Sequence, residues 1–318
     1  MRLPHFAGAY RALQCLSHHV SWMPTGKRQQ TLAAEVCLSG IGLHSGVATT
    51  ARLLPSMAGE GRYFVSAHGE SRIPASIEYV VSTMLCTTLR RGGATVRTVE
   101  HLLSALEACE VDNCRIEIKG GDEVPILDGS AKGWVEAIKH VGTCDSIDCN
   151  GKTKEKMAPM LCDPMYVCKR DSFIVAFPSS KTHISCGINF SKAPAIGCQW
   201  FSFSMGAYSY SKEIAPSRTF CIYEEVQQMR NAGLIRGGST ENAILCSAAS
   251  GWINPPLRFN DEPCRHKILD LIGDFSLFAR NGNQGVPLSH IISYKAGHSL
   301  HCDFVLRLAK TSIRDSFG

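Results

Sequence analysis

Residues 264–275 place a histidine and an aspartate one helical turn apart. Ile268, Leu271, Ile272 and Phe275 fill one face of an apolar-periodic helix, so His266 and Asp270, at i and i+4, share another. Two donors at that spacing can grip one metal ion, the geometry that makes His-x-x-x-His useful. Lys267 sits beside the pair and Asp274 lies one turn further on. A surface ion pair gives the same string. A second candidate, Thr98-Val-Glu100-His101, sets a carboxylate beside a histidine at a helix start. That pairing can supply a general base and a metal ligand together. A solvated first turn, where the helix dipole favours Glu, is the other reading. The third, Lys295-Ala-Gly297-His298, puts a histidine after a glycine near the chain's end and reads as a loop.

Three further stretches are constrained without naming a chemistry. Gly40-Ile-Gly42-Leu43-His44-Ser-Gly46 is similar to a dinucleotide loop, but its third glycine is misplaced and no βαβ unit follows. Pro125-Ile-Leu-Asp128-Gly-Ser130 reads as a turn leading into a helix. Ala215-Pro-Ser-Arg218-Thr219-Phe220 precedes a helix, where a hydroxyl and free N–H groups can meet an anion. No P-loop, Gly-x-Ser-x-Gly elbow or His-Glu-x-x-His is present.

The elements that must position these residues fall into two halves. Strands are expected at 36–38 and 49–54 around a Gly-rich turn, and at 115–119, where apolar and polar residues alternate. Thr98 is expected to cap a helix striped by Val99, Leu102, Leu103 and Leu106. A further helix is expected near Trp134. In the second half, 172–177 and 183–190 read as strands, and 223–230 as a helix stopping near Gly233. Strands first and helices later in each half favour α+β layers over a doubly wound sheet. The expected division is a leader at 1–28, a first domain at 29–149, a polar linker at 150–158 and a second domain at 159–318. No sequence repeat is evident.

The 318 residues are 44% hydrophobic and 19% charged, which excludes global disorder. No apolar run approaches the ~18 residues of a spanning helix. The net charge is +5, but residues 1–34 carry four basic residues and no acid. The nearly neutral remainder argues against nucleic-acid binding. The leader also spaces Leu3, Phe6, Tyr10, Leu13, Leu16, Val20 and Trp22 at near-helical intervals. A basic, acid-free, amphipathic leader is the pattern of an organellar transit peptide. Its few serines favour the mitochondrion, with the plastid as the alternative. Fifteen scattered cysteines without a Cys-x-x-Cys read as free thiols in a reducing compartment.

Taken in order, six motifs carry a specific resemblance. They are Gly-Ile-Gly-Leu-His-Ser-Gly at 40–46, Thr-Val-Glu-His-Leu-Leu-Ser-Ala-Leu at 98–106 and Pro-Ile-Leu-Asp-Gly-Ser at 125–130. Glu-Ile-Ala-Pro-Ser-Arg-Thr-Phe at 213–220, Arg-His-Lys-Ile-Leu-Asp-Leu-Ile-Gly-Asp at 265–274 and Lys-Ala-Gly-His at 295–298 follow. Over residues 29–308 the chain resembles the zinc-dependent UDP-3-O-acyl-N-acetylglucosamine deacetylases of lipid A biosynthesis. The leader points to a eukaryotic, plant organellar member.

The resemblance implies two similar domains, each a two-layer α/β sandwich, with the active site between them. It implies Zn2+ held by His101, His266 and Asp270, with Glu100 as general base and His298 as general acid held by Asp274. Thr219 and Lys267 would stabilise the oxyanion and nearby charge, and Leu43, His44, Phe220 and Lys267 would contact substrate. The implied partner is UDP-3-O-acyl-N-acetylglucosamine, converted to acetate and UDP-3-O-acyl-glucosamine, and a monomer is expected. In this family an insert in the second domain forms an apolar passage for the acyl chain. The candidate here is 196–210, with Trp200, Phe201 and Phe203, against core strand packing as the other reading. Two departures stand out: the family usually has Ala where Ser217 stands and a glycine or other small residue at Cys221. A catalytically silent relative acting as a scaffold, or a zinc amidohydrolase on another N-acyl sugar, are the alternatives.

Overall fold

The computed structural model describes residues 19–65, 71–254 and 256–312. Leader residues 1–18 lie outside the described residues.

Two five-stranded mixed sheets organise the chain, an α+β arrangement. In the first, Val36–Ile41 pairs with Ala48–Pro55, which pairs with Cys114–Lys119; that strand runs parallel to Arg62–Val65, and Arg72–Pro74 closes the edge. In the second, Met165–Lys169, Ser172–Pro178, Ser289–Tyr294, His183–Phe190 and Gly197–Ser204 adopt the same order with the same senses. In each sheet the central strand is last in sequence and makes the one parallel pairing. A parallel pairing needs a crossover, and each half provides it with a helix.

Those crossover helices position the chemistry. In the first half, α1 (Glu100–Ala108) precedes the central strand and α2 (Lys132–Val141) follows it. In the second, α3 (Tyr223–Asn231) lies in an excursion between Gly197–Ser204 and α4 (Glu262–Phe275). Helix α4 precedes the central strand and α5 (His298–Thr311) follows it. Helices α1 and α4 are thus topological counterparts, and they pack against each other. The chain repeats one architecture although its sequence shows no repeat. All nine residues of α1 are buried, and in α4 Arg265 and Lys267 alone escape burial. A histidine and an aspartate on such a helix are not a surface ion pair.

The two helices approach closely because residue 273 is glycine. A Cβ there would lie inside van der Waals contact of the Glu100 carbonyl. Gly273→Ala is therefore expected to force the helices apart and to destabilise the fold by ~1–3 kcal/mol, the usual cost of overpacking. A urea unfolding midpoint equal to that of the wild type would contradict this.

Several expectations change. Val20–Arg28, assigned to the leader, is a strand paired antiparallel with Glu155–Leu161. Val20 is fully buried, and Trp22 stacks on Phe278 at 5.5 Å. The two residues lie two apart on one strand face, and this period-2 match outweighs the helical spacing seen in the sequence. The last nine residues of the expected leader thus pack on the body of the fold. Residues 155–158, assigned to the linker, belong to the partner strand. Thr98 does not cap α1: Val99 occupies that position, while Thr98 has φ 57° and donates its hydroxyl to Glu123 at 2.8 Å. All fourteen described cysteines are free, as expected. No helix of the described residues is long and apolar enough to cross a membrane.

Candidate active site

Helix α1 contributes His101 and α4 contributes His266 and Asp270 to one buried cluster. Their ligand atoms lie within 4.8 Å of one another. The two imidazoles meet nearly perpendicular, with centroids 4.9 Å apart. Asp270 Oδ1 lies 3.5 Å from His101 Nε2 and 3.3 Å from His266 Nε2, yet accepts no well-directed hydrogen bond. A buried carboxylate oxygen in that state lacks a partner. His266 donates from Nδ1 to the Ser217 carbonyl at 3.0 Å, which leaves the Nε2 lone pair facing the cluster. Burial lowers the His266 pKa to about 3, so the imidazole is neutral. Burial opposes charge on Asp270, but His266 and the Lys267 ammonium hold its carboxyl well below the usual range. A neutral imidazole and an ionised carboxylate are the states that bind a divalent cation. The donor set and the orphaned oxygen therefore fit a metal.

The neighbouring carboxylates form a second network. Glu100, one residue before His101, points Oε1 at His298 Nε2 across 3.7 Å. Burial raises its pKa, with the positive charge on His298 pulling the other way. Asp274, one turn after Asp270, accepts from His298 Nδ1 at 2.7 Å and from His301 Nδ1 at 2.8 Å. His298 is not a loop residue but the first residue of α5. An imidazolium at a helix N-terminus is disfavoured by the dipole, and burial opposes it too. Asp274 and Glu100 overcome both and raise the His298 pKa to about 10. His298 is thus protonated at neutrality. His301 and Thr87, which touch these carboxylates, were missed in the sequence. The i, i+3 spacing of His298 and His301 was the available signal for the first; Thr87 had none.

Both networks open into a cleft of about 710 Å³ that also reaches Leu43, Thr219, Phe220 and Lys267. Lys267 Nζ donates to Asp270 Oδ2 at 2.9 Å. Lys169, Arg170 and Lys295 also line the cleft, together with Asp171. Lys295 is paired with Asp171. A second cavity of about 220 Å³ shares Leu43, Leu85, Thr219 and Phe220 with the cleft and continues between Cys221, Val226, Met229 and Leu245. His44 lines this cavity rather than the cleft. Its Nε2 has no hydrogen-bond partner. Residues 196–210 line neither cavity. Gly197–Ser204 is instead an edge strand with Phe203 in the core and Trp200 stacked on Tyr294. The apolar cavity comes from the excursion 221–245, where alternation was too weak to reveal it.

The loops that looked constrained are cross-links. Glu123 accepts from the His44 and Ser45 N–H groups at 2.8 Å each and so fixes the 42–46 turn. Asp128 binds Arg258 at 2.9 Å, and the Gly129 carbonyl accepts from Thr219 N–H at 2.8 Å. That N–H is therefore not free for an anion. Arg218 is likewise committed, to Glu262 at the start of α4.

A cleft that gathers two histidines and an aspartate beside a carboxylate–histidine pair has the donor set and the acid–base groups of a metal-dependent hydrolase. The chain belongs to the UDP-3-O-acyl N-acetylglycosamine deacetylase (LpxC) family, whose profile matches residues 29–310. It is 56% identical over 297 residues to an Arabidopsis thaliana protein named probable UDP-3-O-acyl-N-acetylglucosamine deacetylase 1, mitochondrial, covering 91% of this chain and 90% of that protein. It is 45% identical over 290 residues to the UDP-3-O-acyl-N-acetylglucosamine deacetylase of Trichormus variabilis, covering 90% of this chain and 99% of that protein. The Synechocystis protein of the same name is 43% identical over 283 residues.

Proposed function

We propose that this chain is a zinc-dependent UDP-3-O-acyl-N-acetylglucosamine deacetylase, which releases acetate and UDP-3-O-acyl-glucosamine in a lipid A-type pathway. The observation that carries the reading is the His101–His266–Asp270 cluster, set beside Glu100 and His298 in one cleft. His101, His266 and Asp270 would hold the zinc. When bound, zinc supplies Lewis acidity there, lowering the pKa of water and polarising a carbonyl oxygen.

The rest of the chemistry falls to the side chains. Glu100 takes a proton from the attacking water as the new C–O bond forms. His298, protonated and held by Asp274 at Nδ1, gives the Nε2 proton to the amide nitrogen as the C–N bond breaks. Lys267 and the Thr219 hydroxyl face the oxygen on which negative charge develops. Lys169, Arg170 and Lys295 suit the diphosphate end of the substrate. Leu43 and Phe220 border the route from the cleft into the apolar cavity, where His44 lines the wall, and the cavity suits the acyl chain.

Titrating metal-free protein with Zn2+ tests the reading. Acetate release should rise to a plateau at one equivalent, and a plateau at zero rate would refute it. The acyl assignment has its own test. Cys221→Phe narrows the apolar cavity, so kcat/KM for a long-acyl substrate should fall at least ~10-fold. The value for a short-acyl analogue should change little. Equal losses on both substrates would place the chain elsewhere.

Each half, with its own sheet and crossover helix, is read as one domain, with the cleft between them. One chain supplies every group named above, in keeping with a monomer. The basic leader and the mitochondrial designation of the Arabidopsis relative support import into mitochondria, with cleavage before the strand that begins at Val20.

A further inference from the structure

We propose that Thr87 is a positioning residue for this deacetylation, tying the carboxylate of Glu100 to that of Asp274. The inference rests on the functional reading above. Thr87 is fully buried, directly before the strand Thr88–Arg91. Its backbone N–H donates to Glu100 Oε2 at 3.1 Å, and its hydroxyl donates to Asp274 Oδ1 at 2.6 Å. Its carbonyl accepts from Val99 N–H at 3.4 Å, which holds the segment against the start of α1. Leu85, at φ 64°, turns the chain into that position.

The two carboxylates stand on counterpart helices from opposite halves of the chain, and Thr87 touches both. Its grip on Glu100 Oε2 leaves Oε1 facing His298. Its grip on Asp274 Oδ1 leaves Oδ2 to receive His298 and His301. Asp274 therefore accepts three hydrogen bonds and cannot rotate without breaking one. The 3.7 Å separation between Glu100 Oε1 and His298 Nε2 is set from both ends by one residue. An ionised Asp274 has no proton to give, so the hydroxyl hydrogen must come from Thr87. Removing that donor strands Oδ1 as a buried unpaired acceptor and frees the carboxylate to turn, carrying His298 with it. Small misplacements of catalytic groups reduce turnover steeply.

Thr87→Val keeps the shape and deletes the donor, whereas Thr87→Ser keeps the donor. In the zinc-reconstituted chain, Thr87→Val should lower kcat by ~10–10²-fold with KM within about 2-fold and zinc content unchanged. Thr87→Ser should stay within about 3-fold of wild type. The downfield proton NMR resonance of the His298 Nδ1–H should shift in Thr87→Val and return in Thr87→Ser. A valine variant with wild-type kcat and an unmoved resonance overturns the proposal. So does a serine variant as slow as valine, since packing of the methyl would then be the cause. If the wild-type chain releases no acetate while the resonance still shifts, the assigned reaction fails and the tie between the carboxylates stands.

Discussion

Glu100→Gln is expected to lower kcat by ~10²–10⁴-fold, the usual contribution of a general base, with zinc content unchanged. Glutamine matches the shape of Glu100, and its amide oxygen can still accept from Thr87 N–H. It cannot take a proton. The loss should appear in kcat and kcat/KM alike, because the interaction is made on the way to the transition state. His298→Gln is expected to fall in the same range. Activity needs Glu100 ionised and His298 protonated. The rate should therefore fall on the acid side as Glu100 takes up a proton, and on the alkaline side as His298 loses one. Since Asp274 and Glu100 raise the His298 pKa to about 10, the alkaline limb should lie well above ordinary imidazole titration. The limbs of the wild type belong to the coupled pair, so the variant profile makes the assignment. His298→Gln should abolish the alkaline limb; if limb and rate both survive, His298 is not the acid.

His101→Ala is expected to abolish retention of zinc, and activity with it, while leaving the metal-free fold intact. The reason lies in what each ligand does besides facing the cluster. His266 holds the Ser217 carbonyl, and Asp270 anchors Lys267. His101 Nδ1 makes no hydrogen bond. Removing His101 therefore takes away a proposed ligand without stranding a buried hydrogen-bond partner. A tightly bound ligand stabilises the folded state by about 4 kcal/mol at a thousand times its Kd. Added zinc should raise the Tm of the wild type and not that of His101→Ala. A variant that keeps one equivalent of zinc through gel filtration would remove His101 from the ligand set.

Much of the site was legible because its residues sit on strongly periodic helices. The apolar stripe of α4 places His266 and Asp270 on a shared face, and the structure brings both to His101. The hairpin around 42–46 and the strands at 172–177 and 183–190 were equally visible, since alternation and glycine mark them locally. What stayed hidden depends on partners distant in sequence. Val20 and Trp22 read as part of an amphipathic leader because strand partner Glu155–Leu161 lies over a hundred residues away. The repeated architecture was invisible because strand order leaves no trace in spacing, and the two crossover helices carry different residues for different duties. Thr87 reaches Asp274 across 187 positions, a contact no local pattern announces. Of the two readings of 196–210, acyl passage or strand packing, the strand packing holds, and its aromatics do not line the apolar cavity. That cavity is built by Leu43, Val226, Met229 and Leu245 instead.

The proposed reaction cleaves the acetamide of a UDP-3-O-acyl-N-acetylglucosamine. Incubating the zinc-reconstituted chain with that nucleotide sugar and resolving the products by mass spectrometry tests it most directly. Acetate and UDP-3-O-acyl-glucosamine should form in equal amounts with the wild type, and neither above background with Glu100→Gln. Unchanged substrate with the wild type, or loss of the ester-linked acyl chain in place of the acetyl group, would contradict it.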